Sequence, residues 1–384
     1  MMHNIMINLS FNSYTLLIFI AVIVAVTFGF LLLFTKKSNP KADRFLAAVM
    51  FIVAGWNISY LILSVNIYEM IIGIIWVPFN YTLALGPCLY FYVRHLTNLN
   101  NEPSQRMWPH FVPVLFQVGL FIAQVFIAIP QGIGYLQTEL YLMVDPIINL
   151  LAIISMMVYG YFARKDIINY HTWVKNNYSH YHRYQIKWLY RLSTAFVVLM
   201  IVWLAYVISD FFLFDYQLIF SDFYLFHITL AVMSIWLSIE AYTKPEVIYS
   251  DSDIQKQADN DDAVDDKLKE KAEWLSREIS SNKFYLDPEL SLKSLAELLD
   301  IHPNTLSRMI NDGLGKSFSE CINDYRVEAV KSKLKASLND DTTFLAIAFD
   351  SGFNSKATFN RIFKKHTGLT PLQYQNTLKS PENE

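Results

Sequence analysis

The chain has 384 residues, 53% of them apolar and only 17% charged, with a formal net charge of −3. That balance is too apolar for one soluble domain of ordinary usage, and the whole chain is not a simple basic nucleic-acid binder. With Cys88 and Cys321 as its 2 cysteines, it is neither a disulfide scaffold nor a cysteine-rich zinc domain. The averages conceal a division near Lys244: long apolar runs before it, dense charge and periodic apolar positions after it.

A membrane-crossing helix needs about 20 mostly apolar residues. Stretches 14–34, 45–68, 70–92, 111–129, 140–162, 192–214 and 223–242 all qualify, which predicts seven spans within residues 1–243. The second and third stretches are separated by a very short turn and should form a hairpin. Pro78, Pro87, Pro113 and Pro146 fall inside predicted spans, where neighbouring groups can re-satisfy the freed carbonyls. The first stretch lacks a basic leader, and Lys36 and Lys37 follow it, so it reads as a retained anchor rather than a signal peptide.

Lys36, Lys37, Lys41, Arg44, Arg94, Arg106, Arg164, Lys165, Lys175, Arg183, Lys187 and Arg191 all fall in loops on one side of these spans. By the positive-inside rule that side is cytoplasmic. The expectation is a multi-pass protein of the bacterial cell membrane, N-terminus outside and C-terminal region in the cytoplasm.

Carboxylates within or at the ends of membrane helices are functional candidates. Asp145, Asp210 and Asp222 lie toward the outer side of the last three spans, a side without Lys or Arg. They are the candidate sensing residues, expected to attract an external or membrane-borne cation, divalent ion or proton. Asn80, Gln117, Gln124, Asn149 and His227 are expected to be interhelical hydrogen-bond partners. His171, His180 and His182 belong to the basic fifth loop, which reads as a solvated juxtamembrane segment and not as a metal site. No cofactor or metal is expected.

Residues 250–266, SDSDIQKQADNDDAVDD, are acidic and free of aromatics. They cannot bury a core, so 244–266 reads as a flexible linker to a cytoplasmic domain over 267–384. Helical spacing resumes with Leu268, Ala272, Leu275 and Ile279.

An internal repeat follows. Leu292, Leu295, Ala296 and Leu299 stand at i, i+3, i+4, i+7, a short amphipathic helix. After a break at Asp300–His302, Pro303 suits the first position of a second helix. That helix turns Leu306, Met309 and Ile310 inward and Asn304, Ser307, Arg308 and Asn311 outward. The pattern recurs with Phe344, Ile347 and Ala348, a turn at Gly352–Phe353, and a helix with Phe359, Ile362 and Phe363 inward. Its outward face carries Ala357, Asn360, Arg361 and Lys364. Residues 317–338 read as one long helix holding the two copies apart, with Phe318, Ile322, Tyr325, Ala329 and Leu334 on its buried side. Thr370 and Pro371 then cap and open a last short helix. Two helix-turn-helix units (291–315 and 343–368) with polar and basic second helices suit the major groove, where Arg pairs with guanine and Asn with adenine. Lys316, Lys331, Lys333, Lys335, Lys364 and Lys365 are candidate phosphate contacts.

Residues 291–377 resemble the DNA-binding domain of the AraC/XylS transcriptional regulators. The second copy carries most of the likeness: Ile347-Ala348, Gly352-Phe353, Ser355, Phe359, Arg361, Phe363-Lys364, Gly368, Thr370-Pro371 and Tyr374. The first copy adds Leu295-Ala296, Leu306-Ser307-Arg308, Gly315, Phe318 and Arg326. The resemblance implies two helix-turn-helix units joined by a long helix. It places Asn304, Ser307 and Arg308, and then Lys356, Ala357, Asn360 and Arg361, where that family meets DNA.

No P-loop, dinucleotide fingerprint, zinc-protease motif or nucleophile elbow occurs, so no enzyme is expected. The sequence therefore describes an all-α protein: a seven-helix membrane region and a cytoplasmic domain of two helix-turn-helix units. The function it implies is a membrane-bound one-component transcription regulator. Its expected partners are double-stranded DNA, the lipid bilayer, a second copy of the chain and an unidentified ligand. The competing reading is a transporter or anchor whose cytoplasmic tail binds protein.

Overall fold

The computed structural model describes residues 11–34, 39–67, 72–97, 107–131, 138–184, 186–213, 220–243, 265–336 and 343–379. These are mainly helical and include no strand. The predicted acidic linker, 244–266, lies almost wholly outside the described residues. Two units emerge: Met1–Ile168 with Ile186–Val247, and Asn169–Gln185 with Ile248–Glu384.

The first unit contains α1 (Ser13–Phe34), α2 (Pro40–Ser64), α3 (Thr82–Thr97), α4 (Val112–Gln131), most of α5 (Glu139–Asn177), α6 (Lys187–Leu213) and α7 (Tyr224–Thr243). Asn39 caps α2 by accepting from the Ala42 amide, and Pro40 occupies the first turn, where its missing N–H costs nothing. α2 is the central helix and packs against α1, α3 and α7. Ile18, Ala21, Val22 and Ala25 of α1 meet Ala54, Tyr60 and Leu61 of α2 and Ala231 of α7. Small residues allow such close approach: a Cβ on Gly86 of α3 would stand 2.9 Å from Ser155 Oγ of α5.

Outward faces are apolar, with Phe126 72% and Leu213 74% exposed. A water-facing surface would not be built this way; hydrocarbon is the solvent that suits it. Five helical stretches (Ser13–Phe34, Pro40–Ser64, Trp108–Gln131, Glu139–Asn177 and Lys187–Leu213) are long and apolar enough to cross a membrane, and Tyr224–Glu240 is a shorter apolar helix.

The predicted third span, 70–92, is not one helix. A 3₁₀ turn over Ile72–Trp76 is followed by non-helical backbone to Tyr81, and α3 then begins at Thr82. Pro78 explains the break, because proline removes a donor and disfavours helical geometry in the residue before it. α5 departs in the other direction and runs well beyond 162. Ala163, Ile167, Tyr170 and Val174 continue one buried stripe at helical spacing. From Asn169 onward its residues belong to the second unit.

The second unit also contains α8 (Asp265–Asn282), α9 (Leu292–Leu298), α10 (Pro303–Arg308), α11 (Phe318–Ala336), α12 (Phe344–Phe349), α13 (Lys356–Thr367) and α14 (Pro371–Lys379). Two cores flank α11. Its first half gives Phe318, Cys321 and Ile322 to a cluster with Leu275, Ile279, Leu295 and Leu306. Its second half gives Val327, Val330 and Leu334 to a cluster with Ile347, Phe353, Phe359 and Phe363. One helix thus belongs to both helix pairs. Its buried side departs from the predicted one at Tyr325 and Ala329, which are half-buried, and includes Arg326 and Val330.

Candidate nucleic-acid interface

Each helix pair is fixed by short-range capping. Ser291 caps α9 in a reciprocal box with Ser294. Asp300, with φ of 52°, turns the chain into α10, where His302 Nδ1 accepts from the Asn304 amide and Pro303 takes the first turn. α10 is short and passes at once into a π-turn over Met309–Gly313. Leu306, Met309 and Ile310 are buried as predicted. Of the outward set, Arg308 is exposed while Asn304, Ser307 and Asn311 are half-buried. Asn311 Nδ2 donates to Ser307 Oγ at 3.0 Å.

The second pair is built alike, with a longer second helix. Thr343 caps α12 and Ser355 caps α13 through the Thr358 amide at 3.2 Å. Gly352 has φ of 89°, and a Cβ there would sit 2.9 Å from Arg326 Nε, so only glycine fits the turn. Gly368, at φ of 76°, closes α13. Phe359, Ile362 and Phe363 are buried, and Lys356, Ala357, Asn360, Arg361 and Lys364 are all exposed. These five line one surface depression of about 470 Å³ with Phe344, Thr370, Pro371 and Leu372. Spacing on one helix brought them together, and α14, opened by a Thr370–Gln373 capping exchange, forms the opposite wall.

Four of the candidate phosphate lysines are engaged inside the domain. Lys316 pairs with Asp324 at 2.8 Å, and that contact raises its pKa; Lys331 pairs with Glu328 at 2.8 Å, Lys365 with Glu320 at 3.3 Å, and Lys333 donates to Asp350 O at 2.6 Å. Cys321 is a core residue whose thiol burial pushes up to about 12, so it is inert.

Arg326 is the polar hub of this unit and is fully buried. Its Nε donates to Tyr285 O at 2.8 Å and its Nη2 to Asp287 O at 2.6 Å. Burial pushes its pKa down to about 10, which still leaves it protonated near neutral pH. The same guanidinium reaches Ser179 Oγ at 3.3 Å and His180 Nε2 at 3.2 Å. Arginine only donates, so Nε2 accepts and His180 is neutral in this arrangement.

Residues 169–184 therefore do not form the solvated loop that the sequence suggested. Ser179 is 1% exposed and His180 5%. Ser179 O accepts from Ser319 Oγ at 3.1 Å and Asn323 Nδ2 at 3.2 Å, and Ser179 Oγ donates to Leu290 O at 2.8 Å. Lys175 pairs with Glu320 at 3.1 Å. Burial alone would raise the Glu320 carboxyl, but hydrogen bonds from Ser317 and Lys175 overcome it and hold the pKa at about 2. Tyr181 lies beneath Arg361 of α13, its ring centre 5.9 Å from the guanidinium carbon.

In the first unit, Asp145 and Asp210 line one cavity, whereas Asp222 is exposed and outside that lining. Of the predicted interhelical amides and imidazole, Gln117 Nε2 reaches Asn80 O at 3.2 Å and His227 Nδ1 meets Asn57 Oδ1 at 3.1 Å. Asn149 bonds within its own helix, to Asp145 at 2.8 Å. No metal-ligating group of three or more residues occurs among the described residues.

Residues 295–377 match the family described as "Helix-turn-helix domain". The match falls within the segment that resembles the AraC/XylS DNA-binding domain. An HTH-type transcriptional regulator of Staphylococcus aureus is 32% identical over 111 residues, 29% of this chain and 14% of that one. The HTH-type regulator YtdP of Bacillus subtilis is 32% identical over 124 residues, covering 31% and 16% of the two chains. YobQ of the same organism is 34% identical over 96 residues, covering 25% and 39%. The chain thus aligns with well under half the length of these relatives. No solved structure matches it.

Proposed function

We propose that the chain is a membrane-bound one-component transcription regulator that binds promoter DNA sequence-specifically through α10 and α13, with the N-terminal helices as its sensor. The observation that carries this reading is the α13 face. Lys356, Ala357, Asn360, Arg361 and Lys364 are exposed together on a capped helix of a helix-turn-helix domain. The relatives of that domain bear the name of transcriptional regulators. Asn360 and Arg361 have the donor and acceptor patterns that read adenine and guanine edges, while Lys356 and Lys364 neutralise phosphate. On the first pair, Asn304, Ser307, Arg308 and Asn311 take the same part.

Five long apolar helices and the segregation of Lys and Arg support seven crossings with an outer N-terminus and a cytoplasmic DNA-binding domain. The interrupted stretch from Ile72 to Thr97 supplies the third. α5 offers a path for the signal: one continuous helix carries Asp145 near its start and Lys175 near its end, and Lys175 contacts Glu320. A ligand that favours one arrangement of the helices would shift residues 169–185 against the domain. Pairing with a second copy would raise affinity for repeated sites through effective concentration.

The test is a genome-wide map of bound promoters followed by footprinting with the full chain in lipid nanodiscs. Two protected segments about one helical turn apart are expected on one duplex face. A chain that protects no DNA segment above its non-specific background refutes the reading.

A further inference from the structure

The membrane unit contains a partly open cavity of about 560 Å³, within the range of small-molecule sites. Its wall is aromatic and continuous: Trp56 and Trp203 are 4.4 Å apart between ring centres, and Phe226 lies 5.1 Å from Trp56 and 5.6 Å from Trp203. Two carboxylates, Asp145 and Asp210, face it, and its lining contains no Lys or Arg. A smaller void of about 100 Å³ adjoins it, sharing Asn80, Tyr141 and Asp145 and reaching Gln117.

The polar atoms left over here are acceptors. Gln117 is 8% exposed, and its Nε2 donates to Asn80 O, which fixes the amide with Oε1 turned away from that bond. Gln117 Oε1 and Asn80 Oδ1 are buried, and neither has a hydrogen-bond donor among the described residues. A buried acceptor without a donor is costly, and two carboxylates on a lining without Lys or Arg give the cavity a negative potential. The complement to such a lining is a positively charged N–H donor with an apolar body. A cation over Trp faces adds a cation–π contribution, which is strongest where water is excluded. An inorganic divalent ion does not fit, because the described residues hold no cluster of three or more metal ligands and the wall is aromatic.

We infer that this cavity binds a small organic ammonium: its protonated amine on Asp145 and Asp210, its apolar part against Trp56, Trp203 and Phe226. The regulatory meaning of that binding rests on the sensor reading above; the binding itself does not.

The probe is phenethylammonium, titrated into the full chain in nanodiscs and followed by tryptophan fluorescence and calorimetry. Phenethyl alcohol and hydrocinnamate serve as neutral and anionic counterparts. Saturable ammonium binding is expected, about tenfold or more tighter than the alcohol, with no binding of the anion. Asp145→Asn and Asp210→Asn should each weaken ammonium binding about tenfold or more and leave the alcohol unaffected. Asp222→Asn, a carboxylate outside the cavity, should leave both unchanged. Equal binding of ammonium and alcohol, retention of ammonium affinity in the Asp145→Asn/Asp210→Asn double variant, or no saturable ammonium binding by the wild type overturns the inference. A promoter reporter separates the two readings: ammonium that binds through Asp145 and Asp210 without altering the reporter refutes the sensor and leaves the site standing.

Discussion

Replacing Arg326 with alanine should destabilise the DNA-binding domain more than any change on the reader faces. The side chain is fully buried, and its Nε and Nη2 supply Tyr285 O and Asp287 O at 2.8 and 2.6 Å. Each acceptor orphaned in the interior costs about 1–3 kcal/mol, and the volume removed adds a cavity term. Relief from burying a charge offsets part of this, leaving a net loss of about 3 kcal/mol. Amide exchange in the full chain reads the loss locally. Protection over residues 284–290 and along α11 should fall about 150-fold if those amides open with the domain. Arg326→Lys should lie between the two, because a point charge cannot replace the fork that reaches two carbonyls. Arg361→Ala, on the exposed face, should leave the exchange untouched. Wild-type protection in Arg326→Ala would refute the assignment of this guanidinium as the hub.

Arg361→Ala and Arg308→Ala should each cost about 1–3 kcal/mol of discrimination at one base position, read by competition binding on a footprinted promoter. Discrimination in both variants equal to that of the wild type would refute these two arginines as base readers. Reporter fusions after Lys37, Arg106, Lys175 and Lys256 should read cytoplasmic, and those at Ile133 and Tyr216 external; a cytoplasmic signal at Ile133 breaks the seven-crossing topology. The Glu320 carboxyl is held from its usual 4.5 down to about 2, so its pairing contributes fully above about 4.5 and is lost as pH falls through about 2. Acid titration of the full chain, followed by circular dichroism, should lose that portion of its acid sensitivity in Glu320→Gln and keep it in Glu328→Gln.

Periodic features were legible and aperiodic ones were not. The helix pairs show in the sequence because Leu306, Met309 and Ile310, and again Phe359, Ile362 and Phe363, repeat at helical spacing beside turn residues. Hydropathy alone misjudged 70–92, where Pro78 overrides an apolar run. It also truncated α5, where Arg164, Lys165 and Asp166 interrupt the apolar average but not the stripe of Ala163, Ile167, Tyr170 and Val174. A stripe count instead of an average would have extended that helix. Arg326 carried a faint signal, a lone charge between Ile322 and Val330 on a buried face. Ser179 and His180 carried none: their partners lie some 140 residues away, and Ser and His are ordinary residues for a solvated loop. Asp145 and Asp210 could be suspected singly, but only the fold sets them on one cavity.

The contact of Tyr181 with Arg361 gives residues 169–185 a consequence for DNA binding. A guanidinium over an aromatic face at 5.9 Å in a partly exposed setting is worth about 0.5–1 kcal/mol. DNA that engages Arg361 must displace the ring or share the arginine with it. Removing the ring should therefore strengthen DNA binding by that amount, about two- to fivefold, since about 1.4 kcal/mol is tenfold. Tyr181→Phe keeps the face and should behave as wild type, which separates the ring from its hydroxyl. Ser179→Ala removes the hydroxyl that donates to Leu290 O at 2.8 Å and accepts from Arg326 at 3.3 Å. It should loosen the whole segment and act in the same direction as Tyr181→Ala. The measurement is the affinity of full-length protein in nanodiscs for a footprinted promoter, at fixed salt because phosphate contacts make affinity salt-dependent. Weaker or unchanged binding by Tyr181→Ala would mean that the ring supports the reader face, and residues 169–185 would then be a strut of the domain and not a restraint upon it.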